Sequence, residues 1–139
     1  MSDDSTANHK TGSCLCGKVN ISIAKYNRDV VGCHCQQCRK QTGHMVAAFN
    51  VVDADLTITG EDNLKWYAAS DDAKRGFCET CGSMLIWKSN GSDNTSLMAG
   101  CMDSPTDLKL VGHIFTADKG DYYELDDGLP QHEGTGGAI

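Results

Sequence analysis

Three thiols fall within six residues, Cys33-His34-Cys35-Gln36-Gln37-Cys38, spaced C-x-C-x2-C. Two further clusters frame them, Cys14-Leu15-Cys16 upstream and Cys78-Glu79-Thr80-Cys81 downstream. Thiolates this close in sequence suit a thiophilic metal, zinc above all, better than a disulfide, because cysteines one residue apart rarely reach disulfide geometry. Each flanking pair can clasp one edge of a tetrahedron, so Cys14, Cys16, Cys78 and Cys81 together make one closed four-thiolate site. Gly82 after Cys81 and Gly17 after Cys16 are placed for tight knuckles. Closing so long a loop makes that site structural. The central trio, Cys33, Cys35 and Cys38, makes a second site with a position open for water or substrate. Such a centre captures an incoming thiol, holds it as thiolate near neutral pH, and lets it attack a small electrophilic carbon. A fourth ligand from Cys101 or a histidine would instead close it.

The elements that must carry these clusters are short strands. With 139 residues the chain is long enough for one core and too short for two. Alternation of Val19, Ile21 and Ile23 with polar residues marks a half-buried strand over 18–24. Further strands are expected over 45–51, 56–59, 64–68, 83–87, 95–100 and 108–115, with a short element at 122–125. Residues 35–42 are the best helical stretch, ended by Gly43. The fold class is mainly β. Residues 1–11 read as a flexible tail, 12–130 as a single zinc domain, and 131–139 as a second flexible tail.

The net charge of −7 and a sequence pI near 5.0 argue against nucleic acid or an anionic membrane surface as partner. Neither an apolar signal region nor a run of membrane-span length occurs, so a cytoplasmic protein is expected. Arg39-Lys40 and Lys74-Arg75 are the adjacent basic pairs available to meet an anionic ligand.

Gly12-Ser13-Cys14-Leu15-Cys16-Gly17, the 33–43 stretch, Phe77-Cys78-x2-Cys81-Gly82-Ser83, Ala99-Gly100-x-Met102-Asp103 and His113-Ile114-Phe115 resemble the glutathione-dependent formaldehyde-activating enzyme family. The resemblance spans 12 to about 130. It implies an Mss4-like fold of short antiparallel strands around two zinc ions, with Cys14, Cys16, Cys78 and Cys81 holding a structural zinc and Cys33, Cys35 and Cys38 a catalytic one. It also implies carbon–sulfur lyase chemistry: glutathione and formaldehyde joined as, or released from, S-(hydroxymethyl)glutathione. Cys101 departs from the family pattern.

Around the open site, His34 could donate a proton or hydrogen bond, and Arg39 and Lys40 could meet the carboxylates of glutathione. Trp66 and Trp87 read as core residues. Two other classes remain. One is a thiol redox enzyme of methionine-sulfoxide-reductase type with Cys101 as nucleophile, although Cys101 has no nearby cation to lower its pKa. The other is a noncatalytic zinc module for a protein partner, which closed coordination at both sites would favour.

Overall fold

In a computed structural model of the chain, residues 9–136 are described. Ten strands form two sheets. The smaller is antiparallel, in the order β1 (Lys10–Ser13), β2 (Asn20–Ile23), β5 (Leu56–Thr59). The larger has seven strands, in the order β10 (Leu110–Ile114), β3 (Arg28–Cys33), β4 (Val46–Val52), β9 (Asn94–Met98), β8 (Met84–Ser89), β7 (Ala73–Cys78), β6 (Leu64–Tyr67). The one α-helix among the described residues, α1, covers Gln36–Thr42. The chain is mainly β, as its alternation pattern predicts.

Period-2 alternation gives the large sheet two different faces. Along β4, Phe49 and Val51 point inward, where they meet Ile21 and Ile23 of the small sheet together with Leu85, Ile86 and Leu97. Val46, Ala48 and Asn50 point the other way, into a cavity beneath α1. The run 46–52 is therefore apolar because it is covered on both sides. The apolar core fixes the sheet, and the sheet's second face carries the site.

Two expectations are corrected. Strand pairing is not wholly antiparallel: β10 runs parallel to β3, with Ile114 opposite Cys33. Lys10 and Thr11 open β1, and residues 131–134 are tied to β10 and the turn after it by the His132 N–H to His113 O and Phe115 N–H to Gly134 O bonds. Residues 1–8 of the expected N-terminal tail lie outside the described residues. Finally, 122–125 forms no regular element; its tyrosines lay their rings against His34 and His44.

Candidate metal and thiol site

The two knuckles bring Cys14, Cys16, Cys78 and Cys81 together with all four sulfurs within 4.8 Å of one another. Gly82, at φ 80°, lets the second knuckle close through its N–H to Cys78 O, and Gly17 N–H does the same to Cys14 O. The Cys14 sulfur accepts from Val19 N–H at 3.3 Å, and Leu15 N–H donates to Ser83 Oγ, so each knuckle braces the other. A tetrahedral zinc with bonds near 2.3 Å would set sulfurs roughly 3.8 Å apart. The Cys14–Cys16 and Cys16–Cys78 sulfurs stand 3.6 and 3.7 Å apart and all four lie within 4.8 Å of one another, so this donor set fits such an ion.

The second cluster is built where β3 meets α1. Cys33 ends β3, Cys35 caps the helix, its sulfur accepting from Cys38 N–H, and Cys38 is buried in the first turn. Gly43, at φ 91°, ends the helix with its N–H on Arg39 O. The three sulfurs also lie within 4.8 Å of one another, Cys35–Cys38 at 2.9 Å and Cys33–Cys38 at 3.3 Å. They would spread by somewhat under 1 Å to hold an ion. Among the described residues no histidine, carboxylate or further cysteine completes the group, so the trio keeps a fourth direction free. The neighbouring Cys33 and Cys38 thiols, the Cys38 N–H and the Arg75 guanidinium hold the Cys35 thiol far below its usual pKa against the opposing effect of burial. Cys33, facing those two sulfurs and buried, is pushed far up.

All three cysteines line a cavity of about 610 Å³. Its floor is the outer face of the large sheet, and it is large enough for a small organic ligand. Arg75, on β7, enters it 4% exposed. Both terminal nitrogens lie 3.9 Å from Cys38 Sγ, and Nη2 donates to Gln37 Oε1 at 3.2 Å. No carboxylate lies within 4.0 Å of its guanidinium among the described residues. A buried cation whose neighbours are thiols and an amide is placed to hold negative charge at the trio.

A family model described as glutathione-dependent formaldehyde-activating enzyme matches residues 9–118, which takes in both clusters and the cavity walls. The chain belongs to this family. A Schizosaccharomyces pombe protein named as an uncharacterized lyase is 25% identical over 115 residues, 82% of this chain and 83% of its own. The crystal structure of a Rhodobacter sphaeroides protein matches with a TM-score of 0.60 and 27% identity, over 74% of this chain and 98% of that one.

Within the fold of this family member, the other residues singled out from sequence take unexpected places. His34 neither faces solvent nor lines the cavity. It is fully buried, with Nε2 2.9 Å from His113 Nδ1 and Nδ1 hydrogen-bonded to Tyr123 OH. Burial, then the neighbouring His113, pushes its pKa down to about 4. Arg39 Nε donates to Asp118 O, and neither Arg39 nor Lys40 lines the cavity. Cys101 joins neither cluster; it packs beside them with its thiol on Met84 O, and burial, then the Cys14 and Cys81 charges, push its pKa to about 11. Nothing around it favours a redox nucleophile. Trp87 lines the cavity, while Trp66 is 39% exposed with Lys74 Nζ 4.4 Å above its ring. No helix of the described residues is long and apolar enough to cross a membrane.

Proposed function

We propose that this chain is a zinc-dependent carbon–sulfur lyase or thiol-adduct enzyme that joins or cleaves a thiol, glutathione or one like it, and a small aldehyde such as formaldehyde. The observation that carries the reading is an incomplete trio of thiols, Cys33, Cys35 and Cys38, opening into a cavity beside a buried guanidinium. Two zinc ions per chain are assigned: a structural one to Cys14, Cys16, Cys78 and Cys81, and a catalytic one to the trio. Zinc held by Cys33, Cys35 and Cys38 would supply a thiophilic Lewis acid that favours the thiolate form of a thiol near neutral pH.

The chain's own residues do the rest. Cys38 is fixed by α1 and the sheet, so the trio presents its free direction to the cavity rather than to solvent. In the addition, the thiolate sulfur forms a bond to the carbonyl carbon, the C=O π pair moves to oxygen, and that oxygen gains a proton to become the hydroxyl of the adduct. Arg75 stands over the sulfurs where that negative charge passes from S to O, and its N–H groups can stabilise both. In the reverse direction the same contacts stabilise the departing thiolate. Free cysteines throughout fit a reducing, cytoplasmic setting for this chemistry.

The test is proton and carbon NMR of glutathione and formaldehyde with zinc-loaded protein. Exchange between free thiol and hydroxymethyl adduct should be accelerated by the native chain and not by Cys35→Ser. Equal exchange with and without native protein would sink the reading.

A further inference from the structure

The cavity continues well past the thiol trio. Cys33 is opposite Val46, and Arg28 is opposite Asn50, so the two ends of the β3–β4 floor lie four residues apart along β4. That is roughly 13 to 14 Å of strand. From the far end Arg28 reaches back along β4, its half-buried guanidinium in the wall with Nη1 fastened to Asp29 O at 2.9 Å and Ala48 O at 3.4 Å. No carboxylate of the described residues lies within 4.0 Å of it. Beside it runs a neutral amide wall: Asn27 donates to Asn50, which donates to Asn94 and Ser96. Asp72, across the sheet at the opening of β7, is the one carboxylate among the described residues that line the cavity.

A protein of net charge −7 thus holds two guanidiniums in one concavity, with no acidic partner at either among the described residues. Arg75 faces the sulfurs and answers their charge. Arg28 faces none, and a desolvated cation without a counter-charge is costly unless a ligand supplies one.

We propose that Arg28 is a carboxylate subsite, and that it selects thiols bearing a carboxylate about a dipeptide's length from sulfur. This rests on the thiol-adduct reading above. The reach suffices: the guanidinium, at the level of Ala48, stands two residues of β4, roughly 7 Å, from the level of Cys33, and eight bonds separate a cysteinyl sulfur from the α-carboxylate of a γ-linked neighbour, up to about 10 Å when extended. Small neutral thiols reach the trio without touching Arg28.

The test is calorimetric binding of two thiols, glutathione and 2-mercaptoethanol, to zinc-loaded native protein and to Arg28→Gln. The expected result is glutathione weakened about tenfold or more in the variant, with 2-mercaptoethanol within about twofold of native. Glutathione diethyl ester, which needs no variant to fold, should bind native protein about tenfold more weakly than glutathione does. Unchanged glutathione binding in Arg28→Gln overturns the subsite, and so does an ester that binds as well as the acid. Equal weakening of both thiols overturns it too, since Arg28 would then only shape the cavity. If neither thiol binds native protein, the thiol-site reading has failed and the subsite falls with it.

Discussion

His34 Nε2 lies 2.9 Å from His113 Nδ1, with both rings closed off from solvent. One arrangement of protons satisfies every contact along this line. His113 Nε2 faces the Asp127 carboxylate at 2.7 Å and must donate, leaving Nδ1 to accept from His34 Nε2–H. His34 Nδ1 then accepts from Tyr123 O–H. Every ring nitrogen is used. The chain anchors the peptide between Cys33 and Cys35 from the side opposite the cavity.

Replacing His113 with Leu leaves the buried His34 Nε2–H without an acceptor, at a cost of about 1–3 kcal/mol. Because the cost falls on the Cys33–Cys35 link, metal at the second cluster should be lost to a chelator about tenfold faster while the first cluster keeps its ion. Time-resolved chelation with a colorimetric zinc indicator separates the two. Equal acceleration of both phases would show only general loosening.

The two cysteine clusters should respond differently to loss of one thiol. Cys78→Ser removes a tie between β7 and the Cys14–Cys16 turn, with sulfur partners 62 residues apart in sequence. It should cost several kcal/mol and leave little folded protein. Cys35→Ser removes a thiol that lines the cavity, and the helix cap can still be made by serine oxygen. That variant should melt within a few degrees of native, carry one zinc fewer, and lack turnover. Elemental analysis beside thermal denaturation reads both.

Arg75 gives a sharper contrast between stability and chemistry. Arg75→Met keeps volume and apolar stem but removes a buried charge that has no carboxylate partner. Metal-free protein should be unchanged or stabilised by about 1 kcal/mol. Turnover should fall about a hundredfold. A variant that loses stability and turnover in parallel would make Arg75 a structural residue.

Much of this architecture was legible from local pattern. The alternation of Val19, Ile21 and Ile23 and the knuckle glycines reflect constraints within a few residues, which a sequence displays directly. The parallel β10–β3 pair was not legible, because it joins segments some eighty residues apart with no local signature. His34 misled for a physical reason. In an extended chain neighbouring side chains point oppositely, so with Cys33 and Cys35 turned into the cavity, the histidine between them turns away. Arg39 and Lys40 follow Cys38 on a helix whose one buried face is already taken by that cysteine. The cation beside the sulfurs comes from β7, 37 residues on, and only folding brings it there.

Acid should weaken the fold through Asp53 in a defined direction. Its carboxylate accepts from Lys88 Nζ at 2.5 Å and Thr95 Oγ1 at 2.6 Å, tying the turn after β4 to β8 and β9. Burial alone would raise its pKa, but the Lys88 and Thr95 hydrogen bonds outweigh burial and hold it below the ordinary aspartate value. The folded state therefore keeps Asp53 ionised at pH values where the unfolded chain has begun to take up its proton. Its contribution is present in full above the unfolded pKa, near 3.9, and is lost as pH falls through the folded value. Asp53→Asn should lower the melting temperature near pH 6, and the gap to native should begin to narrow as pH falls below about 4. A gap that is independent of pH would assign the contact to hydrogen bonding alone, without the charge of Asp53.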